Sequence, residues 1–198
     1  LDDLVRVIAA FAGLASENMT RGAGWRFLDI GRRIERGVAI THTLAPVLKG
    51  PVSQVEIGLR LALELCDSTI TYRTRYPTEL NPARAIDLVV ADSSNPRALL
   101  FQLVRLREFM EALPPALGFE RAPELVTRTI ADVMNFSIDN VEGTTDAMPL
   151  VPVLALLDRV GAELMTLSEL ITQCYFSHVQ TTHSLSFAPT LAPERMPA

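Results

Sequence analysis

The densest chemistry in the chain lies between Arg21 and Arg36: Arg21-Gly22-Ala23-Gly24-Trp25-Arg26-Phe27-Leu28-Asp29-Ile30-Gly31-Arg32-Arg33-Ile34-Glu35-Arg36. If this segment is helical, at about 100° per residue, Asp29, Arg32, Arg33 and Arg36 fall in one arc about 100° wide. Asp29 and Arg33 are then i,i+4 neighbours. Asp29–Arg32 and Arg32–Glu35 are i,i+3 pairs, a spacing at which opposite charges meet. Ile30, Ile34 and Val38 lie on the other side. Three uses of such an arc stay open. It can be a solvated face laced by weak pairs of about 0.3–0.5 kcal/mol each. It can be a buried ion-pair network that fixes helix packing, a role suited to the planar arginine fork. It can be an anion site for phosphate, carboxylate or a peptide end. Trp25, one turn before Asp29, favours the last two, because an indole walls a pocket or stacks on a guanidinium.

Two further polar clusters are second-tier candidates. Tyr72-Arg73-Thr74-Arg75-Tyr76 sets two tyrosines at i,i+4 near the end of a helix, where arginines also complement the helix dipole. Asn95-Pro96-Arg97, with Gln102 following, reads as an N-cap, a proline at the first helical position and a polar surface turn. Other chemistry is missing. There is no phosphate-binding glycine loop, no His-Glu-x-x-His, no Cys-x-x-Cys and no serine nucleophile elbow. His178 and His183 are five apart and do not share a helical face, His42 is isolated, and no paired Glu-x-x-His suggests a di-iron bundle. No metal site and no cofactor is expected, and a self-contained hydrolase or metalloenzyme is not the reading.

The elements that must position these residues are helices. Leu4, Val7, Ile8, Phe11 and Leu14 recur at helical spacing, predicting a first helix to about Met19. A second runs from about Gly24 to Leu48 and is stopped by Gly50-Pro51. Ser53 to Glu56 fits a capping box opening a third helix, with Val55, Leu59, Ala62, Leu63, Cys66 and Ile70 on one stripe and an end before Pro77. Asn81-Pro82 and Asn95-Pro96 open helices over about 82–92 and 96–113. Pro123 opens a sixth, carrying Val126, Ile130, Val133 and Met134 and fading near Gly143. Pro149 and Pro152 open the last, whose core side holds Leu154, Leu157, Leu164, Leu167, Ile171 and Cys174. The fold class is all-α, an antiparallel bundle of about seven helices, a single domain over 1–183. Residues 184–198 read as a Pro-rich, mobile tail.

Composition agrees. In 198 residues, 48% are hydrophobic but only 6% aromatic, so Leu, Ala, Val and Ile carry the core. No apolar run approaches the roughly 20 residues of a membrane span. A net charge of −5 argues against a nucleic-acid or anionic-membrane surface. Cys66 and Cys174 sit far apart in apolar stretches, which reads as buried free thiols in a reducing compartment, hence a cytoplasmic protein.

The segment Gly24 to Arg36 closely resembles the signature of the alpha-E domain family, a helical domain of unknown function named for a Glu-Arg motif, here Glu35-Arg36. Thr71 to Tyr76, Ser94 to Ala98 with Phe101-Gln102-Leu103, and Tyr175-Phe176-Ser177-His178 are similar to other recurrent segments of that family, in the same order. The family's domain begins with an earlier segment holding another Glu-Arg motif in a Tyr/Trp-Gly-Arg-Tyr-x-Glu-Arg-Ala context, and nothing here matches it. The resemblance therefore implies a C-terminal portion of the domain, with a helix groove left for a partner chain to fill.

The family occurs in bacteria beside circularly permuted ATP-grasp ligases and transglutaminase-like proteases. The resemblance thus implies an accessory module of a peptide-ligase system, with an ATP-grasp-type ligase as partner and no activity of its own to carry over. Its candidate residues are Trp25, Asp29, Arg32, Arg33, Glu35 and Arg36, then Tyr72, Arg73, Arg75, Asn95, Arg97 and Gln102. Two alternatives stand beside it: an enzyme with a composite site built on two Glu-Arg motifs, in which Glu35 acts as acid or base, and a structural domain that forms a homodimer.

Overall fold

The computed structural model describes residues 1–77, 79–136 and 150–177, and within them every regular element is a helix. The order is α1 (Asp2–Asn18), α2 (Ala23–Lys49), α3 (Val52–Leu65), α4 (Thr69–Arg75), α5 (Pro82–Val90), α6 (Leu99–Glu111), α7 (Arg121–Met134) and α8 (Leu150–Tyr175). His178, His183, Gly143, Pro149 and the 184–198 tail lie outside the described residues.

α2, α6, α7 and α8 form a ring in which each helix packs on two neighbours, α2 on α6 and α8, α7 on α6 and α8. α2 is 27 residues long, about 40 Å at ~1.5 Å per residue, and also packs on α3. α5 sits against α3 and α6. The ring's interior is aliphatic: Ile30, Leu44, Leu99, Leu103, Leu106, Val126, Val133, Leu157, Val160, Leu164 and Leu167 are all buried. Two small residues let helices close up. A β-carbon placed on Gly37 of α2 would stand 2.6 Å from Leu164 Cδ1 of α8, and one on Gly58 of α3 would stand 2.7 Å from Val47 Cγ1 of α2. Gly161 of α8 faces the Thr41 hydroxyl, which would lie 3.2 Å from such a carbon.

The helices depart from the sequence expectations in four places. The predicted third helix is two helices, because α3 ends in a left-handed turn. Asp67 has φ +48°, its amide donates to the Glu64 carbonyl at 2.9 Å, and the Ser68 amide donates to the Leu63 carbonyl at 2.8 Å. This is the Schellman pattern that terminates helices. Ile70, beyond the turn, is therefore swung off the α3 stripe and is 81% exposed. The Ser53–Glu56 capping box does not form: α3 starts at Val52 after Pro51, and no side chain caps it. At Asn95 the helix begins later, at Leu99, because the Asn95 side chain is buried and bound elsewhere. By contrast Asn81 caps α5, accepting from the Arg84 amide at 3.0 Å with Pro82 at the first position.

α1 is the fourth departure. Its apolar residues do recur at helical spacing, yet Leu4, Val5, Val7, Ile8, Phe11 and Leu14 are all more than half exposed and only Ala15 is buried. The outer face of α3 is similar, with Ile57, Leu61 and Leu65 exposed at i,i+4 spacing. No described element covers either stripe.

The tight α2–α8 crossing gives a direct test. Leu164→Ala is expected to lower stability by about 2–5 kcal/mol, as for other fully buried leucines. Gly37→Ala, by contrast, should be tolerated better in the Leu164→Ala background than in the parent, since the added methyl then enters vacated space. Denaturant midpoints of the four proteins in that cycle check both.

Candidate functional site

α2 forms where it does because its apolar residues, Ile30, Ile34 and Ile40, face the ring interior. That orientation turns the charged arc toward the N-terminal end of α6. Asp29 is almost wholly buried, and Arg33 meets it with Nε at 3.3 Å and Nη2 at 3.4 Å. The third donor of Arg33, Nη1, reaches across to Gln102 Oε1 on α6 at 3.0 Å. Gln102 is fully buried and uses its amide nitrogen on the Pro96 and Ala98 carbonyls, at 2.7 and 3.2 Å. Those carbonyls belong to the turn that precedes α6, so one glutamine closes the α6 start and anchors α2 to it. Arg32 lies 3.9 Å from Asp29, a looser pair.

Arg36, one turn on, has no such partner. No described carboxylate lies within ion-pair distance of it. Burial, then the Arg33, Arg97 and Arg32 guanidinium groups, push its pKa down, against a smaller opposing pull from Asp29. Arg36 is exposed to solvent and sits beside three other guanidinium groups, each of which has a carboxylate within 4 Å while Arg36 has none among the described residues. Beside it is a cavity of about 110 Å³ lined by Arg36, Ala39, Ile40 and Thr43 from α2, Leu65 and Cys66 from the end of α3, and Arg97 and Gln102. Arg97 pairs with Asp67 at 2.6 Å. Burial pushes the Cys66 thiol up to about 11, so at neutral pH this wall is a protonated, apolar-like surface.

The remaining candidates are placed differently. Glu35 is exposed, makes no ion pair with Arg32, and lines a shallow groove with Phe27, Leu28, Gly31, Arg32 and Arg36. Its expected i,i+3 pair with Arg32 does not form, because Arg32 leans toward the buried Asp29 on the other side. Trp25 packs edge-on against Phe109 at 5.2 Å and is covered by Arg21 at 4.4 Å, so it braces the helix rather than walling the cavity. Arg75 pairs with Asp92 and reaches the Ser94 hydroxyl at 3.0 Å. Burial pushes the Asp92 carboxyl up, but Ser94 and Arg75 outweigh that and hold it below the usual range.

Asn95 is buried, donating to the Leu88 carbonyl at 2.9 Å and the Ser68 hydroxyl at 3.3 Å, and accepting from the Arg97 amide at 3.1 Å. It joins the α5 end, the turn before α4 and the turn that presents Arg97. Tyr72 is buried, accepting from the Asn81 amide at 2.8 Å, and with Arg73 lines a separate cavity of about 150 Å³. Asp67 is the site residue the sequence reading missed. Its only trace in the sequence is an acidic residue just past an apolar helical run, where glycine or asparagine is usual. Among the described residues no cluster of histidine, cysteine, aspartate or glutamate is set to hold a metal ion.

The model of the Alpha-E family, described as a predicted alpha-helical domain with a conserved ER motif, matches residues 1–176. The chain belongs to the Alpha-E family. Relatives include an uncharacterized protein of Mycobacterium tuberculosis and one of Mycobacterium bovis. Each is 29% identical over 164 residues, covering 81% of this chain and 18% of the relative. The chain thus spans less than a fifth of the length of the curated relatives it matches. No solved structure matches it. No described helix is long and apolar enough to cross a membrane.

Two outcomes follow from the pairing. Asp29→Asn is expected to cost about 1–3 kcal/mol, because it weakens a buried charge-assisted contact, while Glu35→Gln stays within about 0.5 kcal/mol of the parent. Chemical denaturation separates the two. The raised Cys66 thiol stabilises the fold fully below its ordinary pKa, and that contribution fades as pH climbs toward about 11. Cys66→Ala should therefore flatten the alkaline loss of stability above about pH 9 seen in the parent's pH–melting profile.

Proposed function

We propose that this domain is a non-catalytic binding module of a peptide-ligase system, taking an anion or a peptide carboxylate at the Arg36–Arg97 cavity and serving an ATP-grasp-type ligase as partner. The observation that carries the reading is Arg36: a guanidinium lined up with three others, unpaired among the described residues, on the wall of a cavity. Like charges gathered at one place repel, and an arriving anion relieves that repulsion. The partner rests on the family resemblance. Glu35 is exposed on a shallow groove with no enclosed site around it, which weighs against the composite-site enzyme.

A protein-docking role has its own support. The exposed stripes of α1 and of α3 are larger than scattered surface residues account for, and such stripes mark interaction surfaces. They suit docking of a ligase or of a second copy of this domain.

Thermal unfolding of the parent and of Arg36→Gln, with and without acetate, N-acetylalanine, phosphate and ATP, tests the site. At a concentration near one hundred times Kd a bound ligand stabilises by about 2.7 kcal/mol, a rise of roughly 5–10 °C for a domain of this size. The parent is expected to show that rise with at least one anion and Arg36→Gln to lose it. Equal midpoints for both proteins under every anion sink the reading.

A further inference from the structure

Resting on the anion-site reading, we infer that the ligand is a carboxylate carried on a small aliphatic body, and that Asp67 is its built-in competitor, occupying Arg97 until the ligand displaces it.

The ligand class follows from what lines the cavity and from what does not. Sites that hold phosphate draw on free backbone amides at helix starts or in glycine loops. Here Arg36, Ala39, Ile40 and Thr43 are interior residues of α2, and their amides are already spent in the helix. The donors left are the Thr43 hydroxyl and two guanidinium forks, whose planar pairs of N–H groups match a carboxylate. Beyond the Thr43 hydroxyl and the Gln102 amide, which is held by the turn before α6, the wall is apolar: Ala39, Ile40, Leu65 and the protonated Cys66. The pocket, about 110 Å³ and open to solvent, holds a small group within its walls. Carboxylate at one end and a methyl-sized side chain at the other is the chemistry that fits.

The competitor is visible in the backbone. Asp67 occupies the left-handed position of the Schellman turn, with φ +48°. Glycine or asparagine serves that turn better, so the backbone alone does not call for aspartate. What the aspartate adds is a carboxylate 2.6 Å from Arg97, next in sequence to the cavity-lining Cys66. The Asp67 side chain is 72% exposed, so it can leave the guanidinium for water without disturbing the core. The Asp67–Arg97 pair is thus an internal example of the contact the ligand would make. Arg36 has no such substitute, and it supplies the initial attraction.

Calorimetric titration of N-acetylalanine into the parent, Asp67→Asn, Asp67→Gly and Arg36→Gln tests this, with N-acetylalaninamide, acetate and inorganic phosphate as companions. Both Asp67 variants keep residues that the left-handed turn accepts, and far-UV circular dichroism verifies all four folds. N-acetylalanine is expected to bind the parent, to bind both Asp67 variants about three- to tenfold more tightly, and to be lost with Arg36→Gln; the amide should not bind. Parent-like affinity in both Asp67 variants, with binding still lost in Arg36→Gln, overturns the competitor and leaves the anion site standing. Absence of binding in every protein overturns the anion site itself. Phosphate binding as tightly as N-acetylalanine overturns the carboxylate assignment, and acetate binding equally well removes the aliphatic body.

Discussion

Arg33 spans the gap between α2 and α6, holding Asp29 with one edge of its guanidinium and Gln102 with the other. Much else in the molecule is arranged around that reach. Gln102 can accept from Arg33 only because its own amide is fixed on the turn before α6, and that turn is fixed in part by Asn95, bound to the end of α5 and to Ser68. A side chain with five donors in a rigid plane is well suited to such a junction; a lysine in its place would satisfy one partner and abandon the other. Of the three helices that pack on α2, both α3 and α8 do so mainly through apolar contacts, which are not directional. The polar junction to α6 is directional and fixes the register there.

The same junction explains why the neighbouring arginine is left over. Asp29 is the one carboxylate buried in the arc, and Arg33 has first claim on it, with Arg32 at the limit of ion pairing. Arg36 points past this pair toward the end of α3, where it meets Arg97 rather than an acid. Structural need and surplus charge thus sit one helical turn apart on the same face. Both residues of the Glu-Arg dipeptide are exposed and share the shallow groove, and the arginine also borders the cavity.

Helix positions and the charged arc were legible because both follow from periodicity, which is a local property. The spans of α2 and α5 and the cap at Asn81 came straight from spacing and turn chemistry. What was not legible depends on long-range partners. Nothing in the run from Val55 to Tyr76 announces a break, since Cys66-Asp67-Ser68 lacks the glycine that usually marks one; the break is a backbone turn with Asp67 in the left-handed region, and its carboxylate meets Arg97, thirty residues on. Asn95 is a good N-cap by type, but burial against α5 and Ser68 claims its side chain. Glu35 had a plausible i,i+3 partner, yet a buried aspartate outcompetes an exposed glutamate for Arg32. Periodicity likewise finds an amphipathic α1 without saying whether anything lies against it.

The close crossings at Gly37, Gly58 and Gly161 carry a consequence for how this sequence can drift. Each glycine is matched to one side chain on the neighbouring helix: Leu164, Val47 and Thr41. The space at each crossing is a shared volume, so neither member is free to change size by itself. Among divergent members of the family, a larger residue at the position of Gly37 should travel with a smaller one at that of Leu164, and the other two pairs should trade in the same way. Paired substitution of this kind, read from many sequences, would trace the helix crossings of the bundle without any coordinates at all.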